Sequence, residues 1–194
     1  MTDTPDPAKS ALLVMDYQPG IVERLGDAAA PLLARAQRAL AVARDRGVHV
    51  GYVRVAFTAG EVDAIPATNK TFSQIKQAGD ALAAENPATQ VHPELAPAQT
   101  DIVVRKTRVG AFSTTDLHEQ LTAKGVDTLI LAGISTSGVV LSTVRDGADR
   151  DYRLVVLADA CADFEPDVHA LLTEKVFPRQ AEVVDVGDLE ALFG

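Results

Sequence analysis

The chain has 194 residues, enough for one domain with a substantial buried core. Its net charge of −9, carried without any basic cluster, argues against nucleic acid or an anionic membrane surface as a partner. No apolar stretch approaches the ~20 residues a membrane span needs, and the lone Cys161 can form no internal disulfide, so a cytoplasmic location is expected.

Met1 to Ser10 is polar and proline-bearing and reads as a disordered arm ahead of a single domain over 11–194. Ala11–Met15 is a continuous apolar run, a strand, and Asp16 leaves its end, followed by Tyr17, Gln18 and Pro19. Ala28–Arg46 carries Leu32, Leu33, Ala36, Leu40 and Ala43 at helical spacing, with Gly47 as its stop. A second strand is expected over His49–Phe57. Glu61–Pro97 then breaks the rhythm, with short helical pieces over Thr71–Ala78 and Asp80–Glu85; a connection of this length points to a lid or binding role. The third strand, Ile102–Arg105, runs into Lys106, and the helix Asp116–Lys124 stops at Gly125. Thr128–Ala132 is a fourth strand, entering the turn Gly133-Ile-Ser-Thr-Ser-Gly138 and the helix Ser137–Arg150. Arg153–Ala158, the helix Pro166–Val176 and Ala181–Asp185 complete the set.

Continuous apolar strands alternating with helices imply a parallel sheet covered on both faces. The expected architecture is three-layer α/β/α, with a six-stranded, mainly parallel sheet of order 3-2-1-4-5-6. Ligands in open α/β sheets bind beyond the carboxyl ends of the strands, where the strand order reverses. Asp16 and the Gly133–Gly138 turn would flank that crevice.

Asp16 with Gln18 behind it, Lys106 followed by Ala111-Phe112-Ser113, Gly133 to Val139 with Thr143 and Asp146, and Tyr152 to Ala160 together resemble the isochorismatase-like hydrolase superfamily, from Ala11 to about Phe177. The resemblance implies hydrolysis of a small molecule, and a homo-oligomer, dimer or tetramer. It also implies a catalytic Asp and Lys, which fall on Asp16 and Lys106. The nucleophilic cysteine of most members falls on Val139, six residues beyond Gly133, so thiol attack from that position is excluded. Cys161 lies after strand five and reads as a small buried residue. Nicotinamidases carry an Asp and His pair after strand two, but this chain reads Phe57-Thr-Ala-Gly-Glu61 there. With His49, His92, His118 and His169 showing no ligand spacing, neither metal nor cofactor is expected.

Isochorismatases proper also lack the cysteine, and cleave a vinyl ether with a proton donor and water. Asp16 suits the donor's role if burial raises its pKa. Lys106 would hold a substrate carboxylate or stabilise the Asp16 anion. Gln18, Phe57, Phe112, Ser135, Thr136, Ser137 and Gly138 are candidate substrate-binding residues, the backbone N–H groups at the start of the Ser137–Arg150 helix being suited to a carboxylate or developing negative charge. Plainer readings stand beside these: a structural ion pair for Asp16 and Lys106, capping for Ser135, Thr136 and Ser137, and core packing for Phe57 and Phe112. Two other functions remain open, an amide or ester hydrolase using water or a serine hydroxyl, and a non-catalytic ligand-binding relative.

Overall fold

Strands that are apolar along their whole length need cover on both faces, and the central two have it: every residue of β1 (Ser10–Met15) and β4 (Thr128–Ile134) is buried. The computed structural model describes residues 4–194. β2 (His49–Val55), β3 (Ile102–Lys106), β5 (Arg153–Ala162) and β6 (Glu182–Val184) complete a six-stranded sheet of order 3-2-1-4-5-6, parallel at every pairing. Six α-helices are described: α1 (Pro19–Val22), α2 (Ala29–Asp45), α3 (Ala59–Asp63), α4 (Leu117–Ala123), α5 (Leu141–Asp149) and α6 (Pro166–Leu171).

Side chains alternate along β1, Leu12 and Val14 to one face, Ala11, Leu13 and Met15 to the other, so the sheet carries two cores. On the first face, Leu33, Ala36 and Leu40 of α2 pack against β1 and β2. On the second, Leu117 and Leu121 of α4, Val144 of α5 and Phe177 cover Leu13, Val53 and Val104. Leu12 and Leu13 have no solvent exposure, and truncating such a side chain to alanine costs ~2–5 kcal/mol. α2 ends as its sequence requires, with Gly47 at φ 74°, a left-handed conformation that glycine adopts without a Cβ clash.

Several expectations are corrected. The segment ahead of the domain is ordered from Asp6: its carboxylate caps a 3₁₀ turn over Pro7–Lys9 by accepting from Ala8 N (3.0 Å), and Ser10 Oγ donates to Asp6 O (2.8 Å). Met1 to Asp3 of the expected arm lie outside the described residues. β2 stops at Val55, and Phe57 instead forms a separate parallel bridge with Ala83 of the insertion. The helix expected from Ser137 opens with a π turn over Thr136–Val140 before α5 begins, and the helix from Pro166 passes into a second π turn over Leu172–Val176.

The insertion carries 3₁₀ turns over Ser73–Gln77 and Gly79–Leu82 and a small core of its own, Phe57, Ile65 and Phe72. Arg108, just past β3, lies over the Phe72 ring at 5.5 Å, which ties the insertion to the loop after Lys106.

Candidate functional site

β2 lies between β1 and β3, so Asp16 and Lys106 leave strands that are not neighbours and meet across the end of β2. Lys106 Nζ stands 2.8 Å from Asp16 Oδ2, and both side chains are almost wholly buried, at 2% and 7% exposure. Lys106 Nζ also donates to the Arg108 carbonyl at 3.1 Å. Two of its three N–H bonds are thereby used, which makes it a holder of Asp16 more than of a substrate carboxylate. Asp16 Oδ1 is buried with no hydrogen-bond partner among the described residues. Burial pushes the Asp16 carboxyl up to about 6, against the opposing pull of the Lys106 charge and hydrogen bond.

The backbone at Asp16 is unusual as well. Its φ is 59°, in the left-handed region that aspartate tolerates better than most residues, and its N–H donates to Val53 O at 2.7 Å. Strain of this kind in a buried charged residue marks candidate sites.

Gln18 turns onto the backbone. Its Nε2 donates to Val55 O (2.9 Å) and Thr89 O (2.7 Å), and its Oε1 accepts from Val55 N (2.8 Å). Both amide hydrogens are committed to backbone, so Gln18 clamps the end of β2. Phe112 packs in an aromatic cluster. Its ring stacks on Tyr152 (6.0 Å, 6° between planes), with His118 at its edge and Arg150 over it at 5.1 Å. Tyr152 immediately precedes β5, at the opposite end of that strand from its carboxyl end. Phe57 is 1% exposed and serves both purposes: it packs on Phe72 and lines a cavity described below.

The turn after β4 carries the other candidates. Its crowding explains its glycines: a Cβ on Gly133 would meet Val140 Cγ2 at 2.9 Å, and one on Gly138 would meet Ser135 Oγ at 2.7 Å. Ser135 O accepts from both Gly138 N and Val140 N, and the peptide ahead of Ser135 is cis. Val139 is buried in one apolar cluster with Met15, Ala111 and Phe112. The exposed Ser137 offers its N–H to Asp163 Oδ2 at 2.7 Å, so that helix-end donor is already occupied. Thr136, fully buried, pairs its hydroxyl with His169 Nδ1 of α6 at 2.8 Å. Asp163 and His169 thus hold the turn from outside, and nothing local in the sequence announces either.

Cys161 is buried within β5, its thiol set 3.8 Å from Leu131 O and pushed up to about 12 by burial. No three His, Cys, Asp or Glu side chains among the described residues gather as a metal-holding group, and no described helix is long and apolar enough to cross a membrane.

The model of the isochorismatase domain matches residues 10–188. The chain belongs to the isochorismatase family. It is 33% identical to the uncharacterized isochorismatase family protein YecD of Escherichia coli O157:H7, over 93% of this chain and 94% of that protein. It is 32% identical to the ureidoacrylate amidohydrolase RutB of Methylobacterium radiotolerans, over 97% of this chain and 81% of the relative. Among solved structures, a cysteine hydrolase from Pseudomonas syringae pv. phaseolicola superposes with a TM-score of 0.86 at 26% identity, covering 100% of this chain and 98% of that one. This chain is therefore a member of a hydrolase family with the family's sheet order.

Proposed function

We propose that this family member hydrolyses a small molecule with Asp16 as the proton-transfer group and water as the nucleophile, no thiol taking part. The observation that carries the reading is the division of labour on Asp16: Oδ2 is held by Lys106 at 2.8 Å, while Oδ1 is buried and unpartnered. An orphaned carboxylate oxygen in a dry site is costly unless something else binds there. With its carboxyl near 6, Asp16 can both give and take a proton around neutrality. Val139 offers no nucleophile at the position where most of the family has cysteine, and the elevated Cys161 thiol lies inside β5.

Vinyl-ether hydrolysis is the model reaction. Asp16 protonates the enol-ether carbon, leaving an oxocarbenium ion and an Asp16 carboxylate steadied by the Lys106 ammonium. Water adds to the cation and returns its proton to Asp16. The hemiketal then collapses to a ketone and an alcohol, and the catalyst is restored.

A second reading, cleavage of an amide or ureide by water with Asp16 as general base, draws support from the similarity to the ureidoacrylate amidohydrolase. The two differ in the sign of their pH dependence. Acid catalysis slows as pH rises through about 6, whereas base catalysis quickens over the same interval. Turnover of a panel of enol ethers, ureides, amides and esters, with Asp16→Asn as control, tests both. Asp16→Asn should abolish activity, and wild-type turnover in that variant would end the proposal. If no panel member turns over while ligands raise the melting temperature, the chain is a binding protein.

A further inference from the structure

A cavity of about 480 Å³ opens where the insertion docks on the end of β2, a size within the ~300–1,000 Å³ typical of small-molecule sites. Phe57, Val62, Ile75 and Leu82 form its apolar walls, and neither Asp16 nor Lys106 lines it. Its wall at Phe57 nevertheless continues the chain from β2, the strand across whose end the pair meets. Val55 is clamped by Gln18, and Ala56 N donates to Lys106 O at 3.3 Å.

The charges at the cavity decide what fits. Asp63, Asp80 and Glu85 stand exposed around it, and among its lining residues Lys76 is the opposing charge, its ammonium donating to the Asp63 carbonyl at 3.1 Å. Of the nearby guanidinium groups, Arg105 is neutralised by a forked ion pair with Glu61, while Arg54, held by Ala84 O and Thr89 O, keeps its charge and offsets Glu85, so the acidic surplus rests on Asp63 and Asp80 against Lys76. An apolar hollow with an acidic surround repels carboxylates and welcomes neutral or cationic heads.

We propose that this cavity binds a small molecule with a compact apolar body, about one ring in size, and a neutral or cationic head.

Benzylammonium, benzamide and benzoate, alike in shape and different in charge, are suitable probes, followed through the methyl NMR signals of Val62, Ile75 and Leu82. Benzylammonium and benzamide should shift these methyls, with benzoate weaker than benzylammonium by ~3-fold or more at low ionic strength. Leu82→Trp, which fills the hollow, should abolish the Val62 and Ile75 shifts. The surface double variant Asp80→Asn/Glu85→Gln should keep benzamide binding and lose the preference for the ammonium probe. Absence of methyl shifts with every probe, unchanged shifts in Leu82→Trp, or benzoate binding as tightly as benzylammonium would overturn the proposal. Asp16→Asn should leave probe binding unaltered. A failure of the hydrolase reading therefore shows in turnover alone, and a failure of this site shows in the methyl spectrum alone.

Discussion

Lys106 grips one oxygen of Asp16 and leaves the other alone: Nζ is 2.8 Å from Oδ2, and Oδ1 meets no partner. Replacing the ammonium with an apolar chain of similar length, Lys106→Met, strands the carboxylate. The Asp16 carboxyl should then rise above the value of about 6 it holds in the wild type, because the lowering influence of Lys106 is gone. At pH 7 the variant should lose ~3–5 kcal/mol of stability, the cost of an uncompensated buried charge. The sign follows from linkage. A carboxyl raised from 3.8 to about 6 on folding contributes stability that is present below 3.8 and lost as pH rises through about 6. In Lys106→Met that loss extends to higher pH, so the deficit should shrink on acidification. Urea unfolding across pH, with a ¹³C-carboxyl titration of Asp16, measures both; wild-type stability at pH 7 would refute the account.

Gln18 joins the end of β2 to the insertion through Val55 and Thr89. Gln18→Leu keeps the bulk and leaves Val55 N and O without these side-chain partners, so stability should fall by ~2–4 kcal/mol. Urea unfolding should show a lower midpoint at unchanged slope. The opposite pattern, intact stability with weakened ligand affinity, would return Gln18 to the substrate-binding set.

What could be read from the sequence followed from long-range rules, and what could not depended on where single side chains turn. The apolar runs of β1 and β4 and the crossover geometry fix the sheet order. That order brings Asp16 and Lys106 together, because each is a charge closing an apolar strand on either side of β2. Gln18 and Phe112 sit in the right segments, yet the sequence holds no sign that one side chain folds onto backbone and the other onto Tyr152. The π turn arises from Ser135 O accepting two amides, a hydrogen-bond register that serine, threonine and glycine permit without specifying. His169 and Asp163 reach the turn from elements far along the chain, so only the packing of α6 reveals them.

Cys161 offers the test of thiol independence. Burial first, and the Asp159 charge second, hold the thiol near 12, leaving almost no thiolate at pH 8. Iodoacetamide should modify the native protein far more slowly than the urea-unfolded chain, as followed by intact mass. Cys161→Ala should cost ~1–2 kcal/mol of stability through the small void it leaves and should retain wild-type turnover. Inactivation by iodoacetamide that substrate prevents would contradict both the thiol's inertness and the proposed mechanism.

The hydrogen bond between Thr136 and His169 makes the turn after β4 sensitive to pH. Burial lowers the imidazole pKa below its ordinary 6.5, outweighing the raising effect of Asp163. The folded protein therefore favours neutral His169, and the stability this provides is present above 6.5 and lost as pH falls through the lowered folded value. Protonation turns both ring nitrogens into donors and puts a positive charge in this half-buried setting, so the bond to Thr136 persists only with Nδ1–H donating to the hydroxyl oxygen. Amides of Thr136 to Val140 should then exchange faster on acidification, after correction for intrinsic rates. His169→Gln keeps a polar partner that does not titrate in this range, so its turn should exchange with a flat pH profile. Thr136→Val removes the hydroxyl and should loosen the turn at every pH. A pH-dependent loss of protection that persists in His169→Gln would refute the assignment to His169.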